Sequence, residues 1–187
     1  MSLEPVKPMK LIDIRRLSMH KQTTKWNLIM KRVAILAITP LVTISTAMAD
    51  VPHNWQTYAN RRFGYSLCYP ADLLRPQPES DNGDGRAFVG PHGTRLLVWG
   101  GWNAIGQSVA QEKADRAHEF TNLGYAISYQ VVRPGWFVLS GSGRGKNFYE
   151  RMIVTHDRES GFSIEYPASD AELWNPIAAK LSRCMSG

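Results

Sequence analysis

Cysteine is scarce: the 187 residues hold only Cys68 and Cys184, far apart and with no second ligand at short spacing. That excludes a zinc site of the closely spaced Cys–His kind. The five histidines show no His-x₃-His or His-Glu-x-x-His pattern, which removes the common helical metal-binding signatures. There is no internal repeat, no low-complexity run and no apolar stretch long enough for a permanent membrane span. The formal charge of +6 is also not what it suggests. Residues 1–49 carry eight Lys and Arg against Glu4 and Asp13, so residues 50–187 carry fourteen of each sign and are neutral. A neutral domain has no electrostatic reason to seek nucleic acid or an acidic lipid face by long-range attraction.

The basic excess belongs to an address. Lys31 and Arg32 precede an apolar stretch from Val33 to Thr46, followed by the small-residue pattern Ala47-Met48-Ala49. This predicts a secretory signal peptide over residues 30–49, cleaved between Ala49 and Asp50, with an uncleaved N-terminal anchor as the alternative. As a helix the apolar stretch spans about 21 Å, short of the roughly 30 Å hydrocarbon core. Residues 1–29 are polar and aperiodic, and are read as an upstream extension or start-site artefact, with translation beginning at Met30. Residues 50–187 then form one globular domain, too short for two cores. The destination is periplasmic or secreted, where an even cysteine pair favours a Cys68–Cys184 disulfide. Closing so long a loop is worth nearly 5 kcal/mol in the chain-entropy account.

Within the domain the apolar period is mostly two, the signature of half-buried strands. "RFGYSLCYP" sets Phe63, Tyr65, Leu67 and Tyr69 on one side. "RAFVG", "TRLLVWG", "YAISYQVV", "WFVLSGS", "KNFYERMIVT" and "GFSIEYP" continue the pattern, with Pro134-Gly135 as a type II turn. Two segments change period. "SVAQEKADRAHEFTNLG" predicts a helix capped by Ser108 and Gln111 and stopped at Gly124. Its inward stripe is expected at Ala110, Ala114, Ala117 and Phe120, with Glu112 and Arg116 paired outside. The final helix is expected to start at an Asn175 cap with Pro176 in its first turn, and Ile177, Leu181 and Cys184 facing inward. The disulfide would staple that helix to the sheet on the side of Gly64 and Ser66. The predicted order is three strands, helix, four strands, helix. This is an α+β fold, a largely antiparallel sheet of about six to seven strands flanked by helices in α/β/α layers.

Four stretches invite a chemical reading. "ESDNGDGR", residues 79–86, resembles a calcium loop, but aligning Gly85 as its sixth position puts Pro91 where the bidentate Glu belongs. Asn82-Gly83 and Asp84-Gly85 are turn dipeptides, and a tight turn is the expectation. "GSGRGK", residues 141–146, lacks both the first glycine and the final Ser or Thr of a phosphate-binding loop, and reads as a hairpin connection. "GQSVA" approximates a nucleophile elbow at Ser108, with His156 and Asp115 or Asp157 as conceivable partners. Trp99, Trp102 and Trp136 could rim a small-ligand pocket, and Tyr149 with Arg151 could form a contact surface. His53, His92, His118 and His156 read as loop or surface residues.

"YANRRFGYSLCYP", "SDNGDGRAFVG", "GWFVLSGSGRGKNFYERMIV" and "FSIEYP" together resemble small exported bacterial proteins of unassigned role. These are similar, more distantly, to the PsbP-like superfamily, which includes a Ran-binding nuclear import factor. The resemblance covers roughly residues 55–184. It implies an antiparallel sheet between helices and a role in binding surfaces or accessory subunits, with no catalytic residue to carry over. The expectation is a non-enzymatic exported module with a protein partner in the cell envelope, without a cofactor. A small serine hydrolase using Ser108, or a small-ligand-binding domain, is the alternative.

Overall fold

The structure, a computed structural model, describes residues 52–187. The signal segment and its Ala49–Asp50 cleavage point lie outside the described residues. The chain opens with a hairpin, β1 (Trp55–Asn60) and β2 (Tyr65–Pro70), that forms a two-stranded sheet of its own. β3 (Arg75–Glu79), β4 (Gly85–Val89) and β5 (Arg95–Trp102) follow as a meander, and α1 (Val109–Asn122) then crosses over. A second meander, β6 (Ala126–Arg133), β7 (Trp136–Gly143), β8 (Lys146–Val154) and β9 (Arg158–Pro167), returns until β9 pairs with β5. The result is one seven-stranded, wholly antiparallel sheet in the order β3-β4-β5-β9-β8-β7-β6. The chain ends in α2 (Ala171–Cys184). No helix among the described residues is long and apolar enough to cross a membrane.

Each face of the sheet buries its own core, because side chains alternate along every strand. One face carries Leu96, Val98, Phe162 and Ile164, covered by Trp174, Ile177 and Leu181 of α2 and by Tyr65, Leu67 and Tyr69 of the hairpin. The other carries Phe137, Leu139, Phe148 and Met152, covered by Phe120 and Ala117 of α1. The layers are α/β/α, as the strand periods imply. The α2 layer is shared with the hairpin.

Several local expectations need correction. Among the described residues five strands precede α1, not three: β1 and β3 are additional to the expected ones. The last helix starts at Ala171, so Pro176 lies inside it, and Asn175 accepts a hydrogen bond from the Tyr166 hydroxyl (2.7 Å) in place of capping. On α1 the inward stripe differs from the expected one: Ala110 and Ala114 face solvent, whereas Glu112 is buried and Arg116 turns toward the sheet. The reason lies on β8, where Glu150 faces α1 at 0% exposure and requires a cation. Arg116 supplies it with two hydrogen bonds, Nε to Oε1 at 2.9 Å and Nη2 to Oε2.

The disulfide Cys68–Cys184 is formed, with a Cα–Cα separation of 5.8 Å. It ties α2 to the separate hairpin, not to the main sheet as expected. Beyond the helix the chain runs on beside β2, where Ser66 and Ser186 exchange both backbone hydrogen bonds (2.9 and 3.1 Å). The helix end is therefore held to the edge of β2 by sulfur and by a bridge two residues further along.

Candidate interaction surface

Ser108 caps α1. Its hydroxyl donates to Gln111 Oε1 (2.8 Å) and accepts from the Gln111 amide (3.3 Å), completing a reciprocal capping box. The acids suggested as its partners are occupied separately: Asp115 accepts from Gln107 (2.6 Å), and Asp157 from the Thr155 hydroxyl (3.1 Å). No histidine among the described residues hydrogen-bonds to Ser108, so the elbow reading has no geometry behind it. A second serine, histidine and acid do meet, at Ser169, His92 and Asp170, around a shallow hollow of about 390 Å³. His92 Nδ1 lies 2.8 Å from one Asp170 oxygen, and the Ser169 hydroxyl donates to the other at 2.9 Å. An activated nucleophile needs its hydroxyl on the imidazole. Here it is on the acid, and the hydrogen bond from His92, with that from Ser169, holds the Asp170 carboxyl below its usual range. His53 does the same for Asp72 at 2.7 Å.

The stretch 79–86 is a turn in which Asp84 and Glu79 are engaged separately. Gly83 at φ +65° makes the reversal, and its amide donates to the Ser80 carbonyl (2.8 Å). Asp84 accepts from the Ser80 hydroxyl (2.6 Å) and from Asn82 (2.7 Å), which keep its pKa low. Glu79 instead accepts from Tyr58 (2.6 Å) on the hairpin. Among the described residues no group of three or more His, Cys, Asp or Glu is placed to hold a metal ion. In "GSGRGK", Arg144 and Gly145 both take positive φ (55° and 75°) between paired Gly143 and Lys146, the backbone of a two-residue hairpin turn. Beside it Tyr125 donates to Glu165 (3.0 Å), and burial with that carboxylate pushes the phenol up to about 12.

The three tryptophans do not share a pocket. Trp99 lies beneath the Arg116 guanidinium on the α1 face (5.3 Å), and Trp136 beneath Arg151 on the opposite face (4.7 Å). Trp102 is the last residue of β5, at the start of the following loop, and packs against Phe63 (5.6 Å). Tyr149 and Arg151 fasten α2: the Tyr149 hydroxyl donates to Ser182 Oγ (3.0 Å), and Arg151 donates to the Ser182 carbonyl.

Besides Leu97, Leu123 and Leu173, exposed large apolar side chains stand at two places among the described residues. The first is β6, the outer strand of the sheet, with Tyr129 at 54% and Val132 at 43% exposure. Sequence order hides this edge, because β6 falls in mid-chain. The sheet's other edge, β3, is short, carries Pro76 and Pro78, and slips register between Pro76 and Glu79. Proline and irregularity block strand addition there. β6 spans eight residues without proline, and its irregularity is confined to Ser128. Its hairpin partner fixes the backbone direction: Arg133 pairs with Trp136 across Pro134-Gly135, with Gly135 at φ +80°. The residues flanking a two-residue turn are hydrogen-bonded to each other, so alternation turns the amides and carbonyls of Val132 and Gln130 outward. The second place is the loop bearing Trp102 and Ile105.

No family model matches the chain, and no curated protein does. Among solved structures it is similar to the solution structure of cyanobacterial PsbP (CyanoP) from Synechocystis sp. PCC 6803, with a TM-score of 0.56 and 10% identity. The match covers 76% of this chain and 98% of that one. At such identity the likeness shows the shared α+β fold alone.

Proposed function

We propose that the protein is a non-enzymatic accessory module of the cell envelope that binds an extended segment of a partner protein along β6. It is exported by the segment ending at Ala49 and begins, when mature, at Asp50. The observation that carries the reading is the contrast between the two sheet edges: one blocked by prolines, the other regular from Tyr129 to Arg133 and apolar. An added strand would take main-chain hydrogen bonds from Gln130 and Val132. It would meet Tyr129 and Val131 on one face, with Trp136 beside them, and Val132 on the other. The disulfide supports an oxidising compartment.

Affinity capture from native envelope extract tests this, with Val132→Pro as the discriminating variant. Its amide points away from β7, so proline there removes an outward donor and no ladder bond within the domain. The wild type should retain a partner that V132P loses, with little change in melting temperature. Undiminished capture by V132P would reject β6 as the interface. Absence of any reproducible partner, or a fluorophosphonate adduct that depends on Ser108, would reject the binding-module reading. N-terminal sequencing of the native protein should start at Asp50.

A further inference from the structure

Five connections gather at one end of the molecule: β1–β2, β3–β4, β5–α1, β6–β7 and β8–β9. They are tied together, for example by Asn103 N to the Asp157 carbonyl (3.0 Å) and Tyr65 hydroxyl to the Asp84 carbonyl (2.7 Å). At this end Trp102 is 59% and Ile105 81% exposed, the two most exposed large apolar side chains among the described residues. Lone exposed apolar residues are ordinary; two on one loop, with Phe63 packed beneath, are not.

The loop is held in this pose. Asn103, between the two, is buried, and its side chain donates to the carbonyls of Gln107 and Thr155 (2.9 Å each) and accepts from the Gln107 amide (2.7 Å). Gly106 N closes the turn on the Asn103 carbonyl (3.1 Å). A buried amide thus fixes the turn that presents Ile105 outward, and little ordering is left to be done on docking. The result is a projection, with Ile105 81% exposed at its tip. Two guanidiniums flank the aromatic pair: Arg62 lies over the Phe63 ring (5.1 Å), and Arg158 donates to the Phe63 carbonyl (3.3 Å). The acids at this end include Asp157, which is paired with Arg158 (3.6 Å), Asp81 and Asp84 on the neighbouring turn, and Glu159 opposite Gly101.

We propose that the Trp102–Ile105 loop docks on the surface of a phospholipid bilayer, with Ile105 entering the acyl boundary, Trp102 at headgroup level and Arg62 and Arg158 on lipid phosphates. A projecting tip suits a partner that deforms around it, and tryptophan and arginine are the side chains suited to the interface. Near-balanced charge at this end makes the apolar contact the main contribution and the anionic headgroup a smaller one. The sheet strands run toward this end, so contact here leaves the β6 edge free at the side.

The test uses the native, oxidised protein with two vesicle preparations, phosphatidylcholine alone and phosphatidylcholine with phosphatidylglycerol. Co-sedimentation should show binding to both, tighter with the anionic lipid, and brominated acyl chains should quench tryptophan emission. Trp102→Ala with Ile105→Ser should weaken binding at least about tenfold, as two apolar side chains no longer leave water. Arg62→Gln should cost about fivefold on anionic vesicles and little on neutral ones. Ile105→Ser alone, at a side chain with almost no packing, keeps the test valid if the double variant misfolds. Failure of the wild type to sediment, or equal binding by wild type and I105S, overturns the proposal. So does a loss on mutation confined to a captured protein, which would give the loop to a protein partner.

Discussion

Replacing Arg116 with methionine tests what holds α1 to the sheet. Glu150 is wholly buried, and both of its oxygens accept from that one guanidinium. Burial works against the arginine cation, yet Glu150 and the neighbouring acids more than offset this, and the Arg116 pKa is raised. Without the guanidinium, Glu150 either stays charged and unpaired, at about 3–5 kcal/mol, or takes up a proton. At pH 7 proton uptake costs about 1.36 kcal/mol for each unit above the ordinary glutamate value near 4.3, or about 3.7 kcal/mol in all. Burial already raises the Glu150 pKa with Arg116 in place, so part of this cost is present in the wild type, and the expected further loss at pH 7 is about 2–4 kcal/mol. The guanidinium also lies over Trp99 and Phe120 (5.3 and 5.5 Å); methionine puts an apolar group there and loses only that cation–π attraction. The pH dependence carries the diagnosis. In the variant the folded pKa of Glu150 lies far above the unfolded one. Stability is therefore intact below the unfolded value and is lost as pH rises toward the folded one. At pH 5 the same arithmetic leaves a loss of about 1 kcal/mol. Urea unfolding of both proteins at the two pH values measures the difference. A loss below about 1 kcal/mol at pH 7, or the same loss at both pH values, refutes the reasoning. Arg116→Met combined with Glu150→Met should return to within about 1 kcal/mol of wild type, since no charge is then stranded.

Glu112 shows the same direction in the wild type: burial raises its pKa and nearby Glu159 adds to the effect, so its ionisation costs stability as pH climbs through the carboxylate range. Glu112→Gln should raise the melting temperature at pH 7 and leave it unchanged near pH 4, by calorimetry. Removing the disulfide with Cys68→Ala and Cys184→Ala releases a loop of 116 residues and should cost about 3–5 kcal/mol in urea unfolding. The native protein should weigh about two daltons less than its reduced form, from the two protons lost on oxidation. A Cβ on Gly141 would lie 2.1 Å from the Ala126 carbonyl oxygen, so Gly141→Val must push β6 from β7. A loss of about 1–3 kcal/mol, with faster amide exchange along β6, is expected.

The strands that bury one side were legible because their alternation is a direct image of the core: Tyr65, Leu67 and Tyr69, or Phe162, Ile164 and Tyr166, each fall on one face. The two that escaped lack that image. β1 is exposed at half of its positions, and β3 contains two prolines, which demote any strand reading. The α2 boundary misled because Asn-Pro is a strong start signal. Here a short 3₁₀ turn (Ala168–Asp170) leads into the helix, and tertiary contact reassigns Asn175 to Tyr166. α1 misled for a different reason. Its alanine stripe fits a small-residue packing face, but a helix cannot announce that its sheet carries an ionised group. Glu150, far along the chain, rotates the helix to present Arg116.

The functional surfaces show the same limit. Neither Trp102 nor Tyr129 differs in type from the tryptophans and tyrosines that fill the two cores. What distinguishes them is strand order and one asparagine. Because α1 carries the chain from β5 across to the far side, and the second meander returns to place β9 against β5, a mid-chain segment becomes an outer edge. Because Asn103 is anchored to the β8–β9 turn, the residues either side of it are directed outward. Both facts depend on pairings between distant segments, which no local period encodes. They also make the surfaces separable: Asn103→Ala removes the anchor and should abolish vesicle binding while leaving capture through β6 intact. Loss of both activities together, in a protein that still melts cooperatively, would mean that the loop and the edge serve a single interface.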